Sequence, residues 1–271
     1  MPYDFHSNTE AYLSLLYRNA EKSIIPFIEK HLPKTSGSHP WKGIRILELG
    51  CGEGGNLKPF AEKGAICTGF DLNKEKIIQG NILMKPLVDS GNLELFSDDI
   101  FNPELMKKFA GQYDLIILKD VIEHIPNKLE ALQKMRSYMK ETGLLFIGWP
   151  PWAMPFGGHQ QICHSKLLKA APWIHLLPKS IYVGLLKSMK EPKEVYEELA
   201  EVYDYRVPTR MMKNLVKEAS LTQVDRLDYL INPIYEDKFG FKTRTQFGFI
   251  KAIPFVNDLL TTSVYLLLKK K

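Results

Sequence analysis

Residues 46–56 read ILELGCGEGGN, and this stretch decides the fold. Ile46, Leu47 and Leu49 make a short apolar strand that carries one acid, Glu48. A glycine cluster follows, and then residues able to start a helix. Glycines turn the chain tightly and let a ligand approach the backbone, while the start of a helix offers unpaired N–H groups. By spacing, Gly50, Gly52 and Gly55 satisfy GxGxxG, and the cluster also fits GxGxG. The loop therefore suits a nucleotide-like cofactor. A dinucleotide-binding loop and a plain strand-to-helix turn remain open beside that reading.

The surrounding sequence repeats the alternation. Residues 44–49, 65–71, 93–96, 113–119 and 144–149 read as strands. Between them lie helical segments: one stops near Gly64, one is capped by Asn73, one opens at Asn102-Pro103, and one spans 126–140 with Leu129, Leu132, Met135 and Met139 on one face. Strands alternating with helices imply a doubly wound parallel sheet, and continuous apolar runs such as LIIL suit strands covered on both faces. Ahead of this core, residues 9–32 read as an amphipathic helix that Pro26 should break or kink. Residues 34–42, KTSGSHPWK, read as a linker.

After Trp149 the rhythm fails. Residues 150–205 are rich in proline and aromatics and too long for a plain connection, so they read as an inserted lid or substrate region. A helix at 209–219, a strand at 223–231 and a last strand at 261–269 then complete the sheet. The expected organisation is an N-terminal helix and linker (1–42), a cofactor-binding core (43–149), the insertion (150–205) and the C-terminal part of the core sheet (206–271).

Four segments in order carry a resemblance: ILELGCGEGGN at 46–56, TGFDL at 68–72, SDDIF at 97–101 and YDLIILKDVIEHI at 113–125. Together they resemble the class I S-adenosylmethionine-dependent methyltransferases, and the last is similar to the ubiquinone-biosynthesis O-methyltransferase group. The resemblance implies a seven-stranded, mainly parallel α/β sheet of order 3-2-1-4-5-7-6, with the last strand internal and antiparallel. It implies S-adenosylmethionine as cofactor and S-adenosylhomocysteine as product. Gly50, Cys51, Gly52 and Asn56 would then face the methionine part of the cofactor, with Glu48 beneath the loop near its amino group. Asp71, which could instead cap the helix after it, would hold the ribose. Leu72 and Ile100 would pack on the adenine and Asp99 would accept from its amino group, with Asp98 the competing choice one residue away. Lys119 would present its backbone carbonyl.

A sulfonium methyl donor is already activated, so the protein mainly aligns a nucleophile and excludes water. A base is needed only for a protonated acceptor. His124, after the fourth strand, is the candidate base; the alternative is a histidine tying its loop to the backbone. His159, after Gly157-Gly158, is a substrate-facing candidate; the alternative is a loop histidine satisfied by the backbone. His159, Cys163 and His164 lack a second ligand pair, so no metal is expected. WPPW at 149–152 follows the fifth strand, not the fourth, and reads as a rigid lid base. Trp152, Phe156 and Trp173 form either an apolar substrate wall or internal packing.

Composition bounds the rest. The chain has 271 residues, 45% hydrophobic and 25% charged, with a net charge of +5. The charges are scattered, which gives no reason to expect nucleic acid. Three cysteines without a paired framework suit reduced thiols in a cytoplasmic protein, and the N-terminus lacks a signal-peptide pattern. No run reaches the length of a membrane span. Peripheral lipid contact stays open through 173–189, whose apolar residues are interrupted by Lys179 and Lys187. The expected partner is a small-molecule acceptor. A nucleotide-linked oxidoreductase and a catalytically inactive cofactor-binding module are the alternatives.

Overall fold

A computed structural model describes residues 9–32 and 40–271. The expected linker lies outside the described residues as far as position 39. One mixed sheet organises the molecule: β1 Arg45–Leu49, β2 Ile66–Asp71, β3 Leu93–Ser97, β4 Tyr113–Lys119, β5 Met139–Trp149, β6 Leu221–Ile231, β7 Arg244–Thr245 and β8 Ser263–Lys270. Their order is β3-β2-β1-β4-β5-β8-β6-β7. The first five strands pair in parallel, and β8 runs antiparallel between β5 and β6. The last strand is thus internal and antiparallel, as the resemblance implies. The count is corrected from seven to eight by β7, a two-residue strand on the outer edge of β6. It is too short to leave an alternating pattern in the sequence.

Side-chain alternation divides the core into two layers. Leu47, Leu49, Ile116, Leu118, Leu145 and Ile147 face one side, under helices Lys128–Tyr138 and Thr209–Glu218. Ile46, Leu115, Ile117, Phe146, Tyr265 and Leu267 face the other, under the N-terminal helical segment and Trp41. There Phe27, Phe146 and Tyr229 pack around Tyr265 at ring distances of 4.9–5.9 Å.

Local chemistry sets the element ends. Asn73, Asn102 and Asn127 each accept a backbone N–H from the first turn of the following helix, which satisfies one otherwise orphaned donor. The N-terminal helix does not break at Pro26. It runs as α-helix Thr9–Asn19, π-helix Ala20–Ile24 and α-helix Ile25–Glu29. The wider π turn sits where the proline lacks a donor and its ring would crowd the preceding carbonyl. Residues 150–205 are mostly helical, with helices Lys166–Ala170, Lys179–Ser188 and Lys193–Asp204. They build a small cluster of their own around Cys163, Leu168, Tyr182, Leu186 and Leu199. Among the described residues no helix is long and apolar enough to cross a membrane.

Candidate active site

The carboxyl ends of β1, β2 and β4 open into a cavity of about 550 Å³, the edge at which doubly wound sheets bind ligands. Gly50, Gly52 and Gly54 turn the loop after β1 with φ of 65°, 53° and 88°. At Gly50 any side chain would also strike Val121, since a Cβ there would lie 2.5 Å from Cγ2. The Gly50 N–H donates to the Phe70 carbonyl at 2.9 Å, which ties the loop to the end of β2.

Asp71 performs two backbone tasks at once. One carboxylate oxygen accepts from the Gly52 N–H at 2.9 Å and the other from the Asn73 N–H at 2.8 Å. Each oxygen has a second lone pair, and the side chain lines the cavity. Asn73, not Asp71, caps the helix after β2; the two backbone bonds instead hold the Asp71 carboxylate in place for a further donor.

Glu48 lies buried beneath the loop and accepts from Asn56 Nδ2 at 2.8 Å. Its other oxygen and Asn56 Oδ1 are buried without a partner. Burial, the dominant cause, pushes the Glu48 carboxyl up to about 8. Asn56 lines the cavity whereas Glu48 stands behind it. The unpaired oxygens of Asn56, in the cavity wall, and of Glu48, behind it, form a place for a cationic N–H donor. The ammonium of a methionine tail fits that pair of acceptors.

At the other end, Leu72, Ile100 and Phe101 give the cavity an apolar rim, and Leu72 is 75% exposed. Asp98 and Asp99 both line it. Asp98 is committed to its own loop, where Oδ1 accepts from the Asp99 N–H and from Asn102 Nδ2. Asp99 caps Phe101 through Oδ1 and is the more exposed of the two.

The Lys119 side chain is buried, lines the cavity and pairs with Asp120. Asp120 sits at φ 55° and donates its N–H to the Gly148 carbonyl at 2.8 Å. From the N-terminal helix come Tyr12 and Leu16. Burial first, then the Asp120 charge, pushes the Tyr12 hydroxyl up to about 12. Sequence reading missed the Lys119 ammonium, Asp120 and Tyr12 as site groups. The available signals were a lysine closing an otherwise apolar strand and a tyrosine on the apolar helix face.

His124 lines the cavity, and its ring lies 5.0 Å from that of His159. Desolvation lowers the His124 pKa, opposed by the Asp120 and Glu201 charges. Burial, and then His124, lowers His159 to about 4. His159 occupies a left-handed conformation at φ 56° and does not itself line the cavity. Beneath them the Glu123 carboxyl is buried with one unpartnered oxygen, and burial, then Asp120, raises it to about 8. Polar atoms of Glu123, His124 and His159 lie within 4.8 Å of one another, so these three could hold a metal ion. The sequence placed Glu123 and His124 side by side, but only the folded insertion adds His159.

Other expectations separate from the site. Cys163 is buried in the insertion, and the His164 N–H donates to Glu191. Trp149 donates its indole N–H to the Val207 carbonyl. Trp152 packs edge-on to His175 and Tyr203 at 4.6 and 5.2 Å. Neither Trp152, Phe156 nor Trp173 lines the cavity, so Trp152 serves internal packing.

Comparison with known proteins adds the family. Residues 16–173 match the family model of a methyltransferase domain. The ubiquinone biosynthesis O-methyltransferase of Glaesserella parasuis serovar 5 (strain SH0165) is 29% identical over 109 residues, covering 39% of this chain and 44% of the relative. The mitochondrial ubiquinone biosynthesis O-methyltransferase of Mus musculus is 32% identical over 130 residues, covering 45% of this chain and 34% of the relative. The chain thus spans less than half the length of these two relatives. Among solved structures, the fold is similar to a geranyl diphosphate C-methyltransferase from Streptomyces coelicolor A3(2), with TM-score 0.56, 14% identity and coverage of 93% and 81%. It is likewise similar to magnesium protoporphyrin IX methyltransferase from Synechocystis PCC 6803, with TM-score 0.52, 13% identity and coverage of 95% and 84%.

Proposed function

The chain belongs to the methyltransferase domain family, and from that premise we propose that it transfers a methyl group from S-adenosylmethionine to an oxygen nucleophile of a small molecule. The observation that carries this reading is one cavity joining the glycine loop, the acid that ends β2, the acids after β3, and His124. Family membership leaves the oxidoreductase reading without support.

S-adenosylmethionine supplies an activated methyl group on a sulfonium centre. The protein's residues divide the remaining work. Asn56 and Glu48 would accept from the methionine ammonium, and Gly50, Cys51 and Gly52 would let the tail lie against the backbone. Asp71, held by two backbone N–H groups, would accept the ribose hydroxyls. Leu72 and Ile100 would flank the adenine, and Asp99 would take its amino group, because Asp98 is committed to its own loop. His124 is largely neutral at neutral pH, so a ring nitrogen can take the acceptor's proton. Asp120 and Glu201 offset the charge that results, and His159 packs the ring in position. The likeness to ubiquinone biosynthesis O-methyltransferases supports an oxygen acceptor.

The test is calorimetry with S-adenosylhomocysteine. Micromolar binding is expected for the intact protein, with Asp71→Ala weakening it at least tenfold. Absence of binding, or unchanged affinity in Asp71→Ala, would defeat the proposal. Binding without turnover on any phenolic or hydroxyl acceptor would favour the inactive-module reading.

A further inference from the structure

Residues 238–255, KFGFKTRTQFGFIKAIPF, form the outer margin of the sheet beyond β6. They comprise the end of helix Ile234–Phe239, β7, helix Gly248–Lys251 and the start of helix Pro254–Leu260. Two buried amides pin the segment. The Gln246 N–H donates to the Asp228 carbonyl at 2.8 Å, and Asn257 Nδ2 donates to the Asp228 carboxylate at 2.8 Å. Between these pins the chain faces water. Phe247 and Phe249 stack on each other at 5.7 Å, yet Phe249 is 71% and Phe255 68% exposed. Phe241 and Ile253 are exposed as well. So many large apolar side chains bared along one short segment mark an interaction surface.

The charges carried by residues 238–257 themselves have one sign. Lys242, Arg244 and Lys251 are exposed and form no ion pair among the described residues. One carboxylate reaches the strip from outside it, Glu236, which accepts from the Thr243 hydroxyl at 3.0 Å, so three cations face one acid. An anionic bilayer presents one sign over a plane, which the three unpaired cations complement. Aromatic rings interleaved with cations are the pattern that settles at the headgroup level.

We propose that residues 241–255 are a docking surface for an anionic phospholipid bilayer. The rings enter the headgroup layer and the three cations meet lipid phosphates. Tyr235 and Lys238, ahead of the strip on helix Ile234–Phe239, lie within electrostatic reach of Lys119 and Asp120.

The test is co-sedimentation of the full chain with phosphatidylcholine vesicles, with and without phosphatidylglycerol. Binding is expected only with phosphatidylglycerol, and raised salt should weaken it. Each cation near such a surface strengthens binding about fivefold. Replacing all three by Gln should thus cost on the order of 100-fold. Phe249→Ser with Phe255→Ser should abolish sedimentation while the thermal midpoint and S-adenosylhomocysteine affinity stay unchanged. No binding to phosphatidylglycerol vesicles, equal binding to neutral ones, or retained binding in the double Ser variant would overturn the inference. A dimer lost in the double Ser variant, without lipid binding, would assign the strip to a second copy of the chain instead. Because the readout is sedimentation, its failure leaves the methyltransferase reading to be judged by cofactor binding alone.

Discussion

Glu48 shows how a single residue couples the site to stability. It is buried, holds one hydrogen bond from Asn56, and its carboxyl titrates near 8. In the unfolded chain it titrates near the ordinary ~4.3. The folded state therefore binds the proton more tightly, and the stabilisation is complete below the unfolded value. It is lost as pH rises from about 4 towards 8 and levels off above that. Each pH unit between the two values is worth about 1.4 kcal/mol at most. Glu48→Gln keeps the Asn56 bond and removes the titration. Urea unfolding from pH 5 to 8 should show a steep fall for the parent protein and a shallower one for the variant. The remainder would come from Glu123, which is raised in the same sense. Parallel curves for the two proteins would show that Glu48 does not titrate in this range. A cationic ligand should lower the Glu48 value, so S-adenosylhomocysteine should stabilise the parent more strongly at pH 8 than at pH 6.

Elements place these residues, and the strand ends were more legible than the side chains they carry. The limits of β4 and the Asn caps at 73 and 102 follow from apolar runs and turn chemistry, which are local. Met139 continues the apolar helical face, which predicts a helix as far as residue 140 and a strand only from 144; instead Met139 is buried at the start of an eleven-residue β5. Pairing with Tyr113, far away in sequence, made that choice. Nor could local pattern show that β5 makes room for the Lys119 side chain. A Cβ on Gly148 would lie 2.5 Å from Lys119 Cδ and 3.2 Å from Cε. Gly148→Ala should therefore displace the ammonium from Asp120 while the strand, whose φ suits any residue, remains paired. The expected outcome is a loss of about 1–3 kcal/mol in stability, typical of overpacking, with methyl transfer reduced more than S-adenosylhomocysteine affinity. Lys119→Met in the Gly148→Ala background should recover the stability but not the activity. A Gly148→Ala protein with parent activity would mean that the Lys119–Asp120 pair is incidental to the site.

At the scale of the whole molecule, the cofactor half and the insertion differ in how far the sequence exposes them. The glycine loop, Asp71 and His124 lie on short segments whose order is itself informative. The His124–His159 contact instead joins segments 35 residues apart through the packing of the insertion, which no local motif records. That packing is separate from the sheet's two layers: Tyr182, Leu186 and Leu199 are fully buried in a cluster of their own. Leu186→Ala would open a cavity there, and such a change costs about 2–5 kcal/mol. The small cluster has few other contacts to absorb the loss. Its effect should therefore stay local, as a sub-global opening of the kind seen by hydrogen exchange. Amide protection should fall within 160–204 and hold in β1, β4 and β5, whose apolar contacts do not include Leu186. S-adenosylhomocysteine should still bind, since the glycine loop and Asp71 belong to the sheet. Methyl transfer should fall, because His159 would no longer hold the His124 ring. Uniform loss of protection across the sheet would show instead that insertion and core unfold as one unit, and that the acceptor side cannot be loosened without losing the cofactor side.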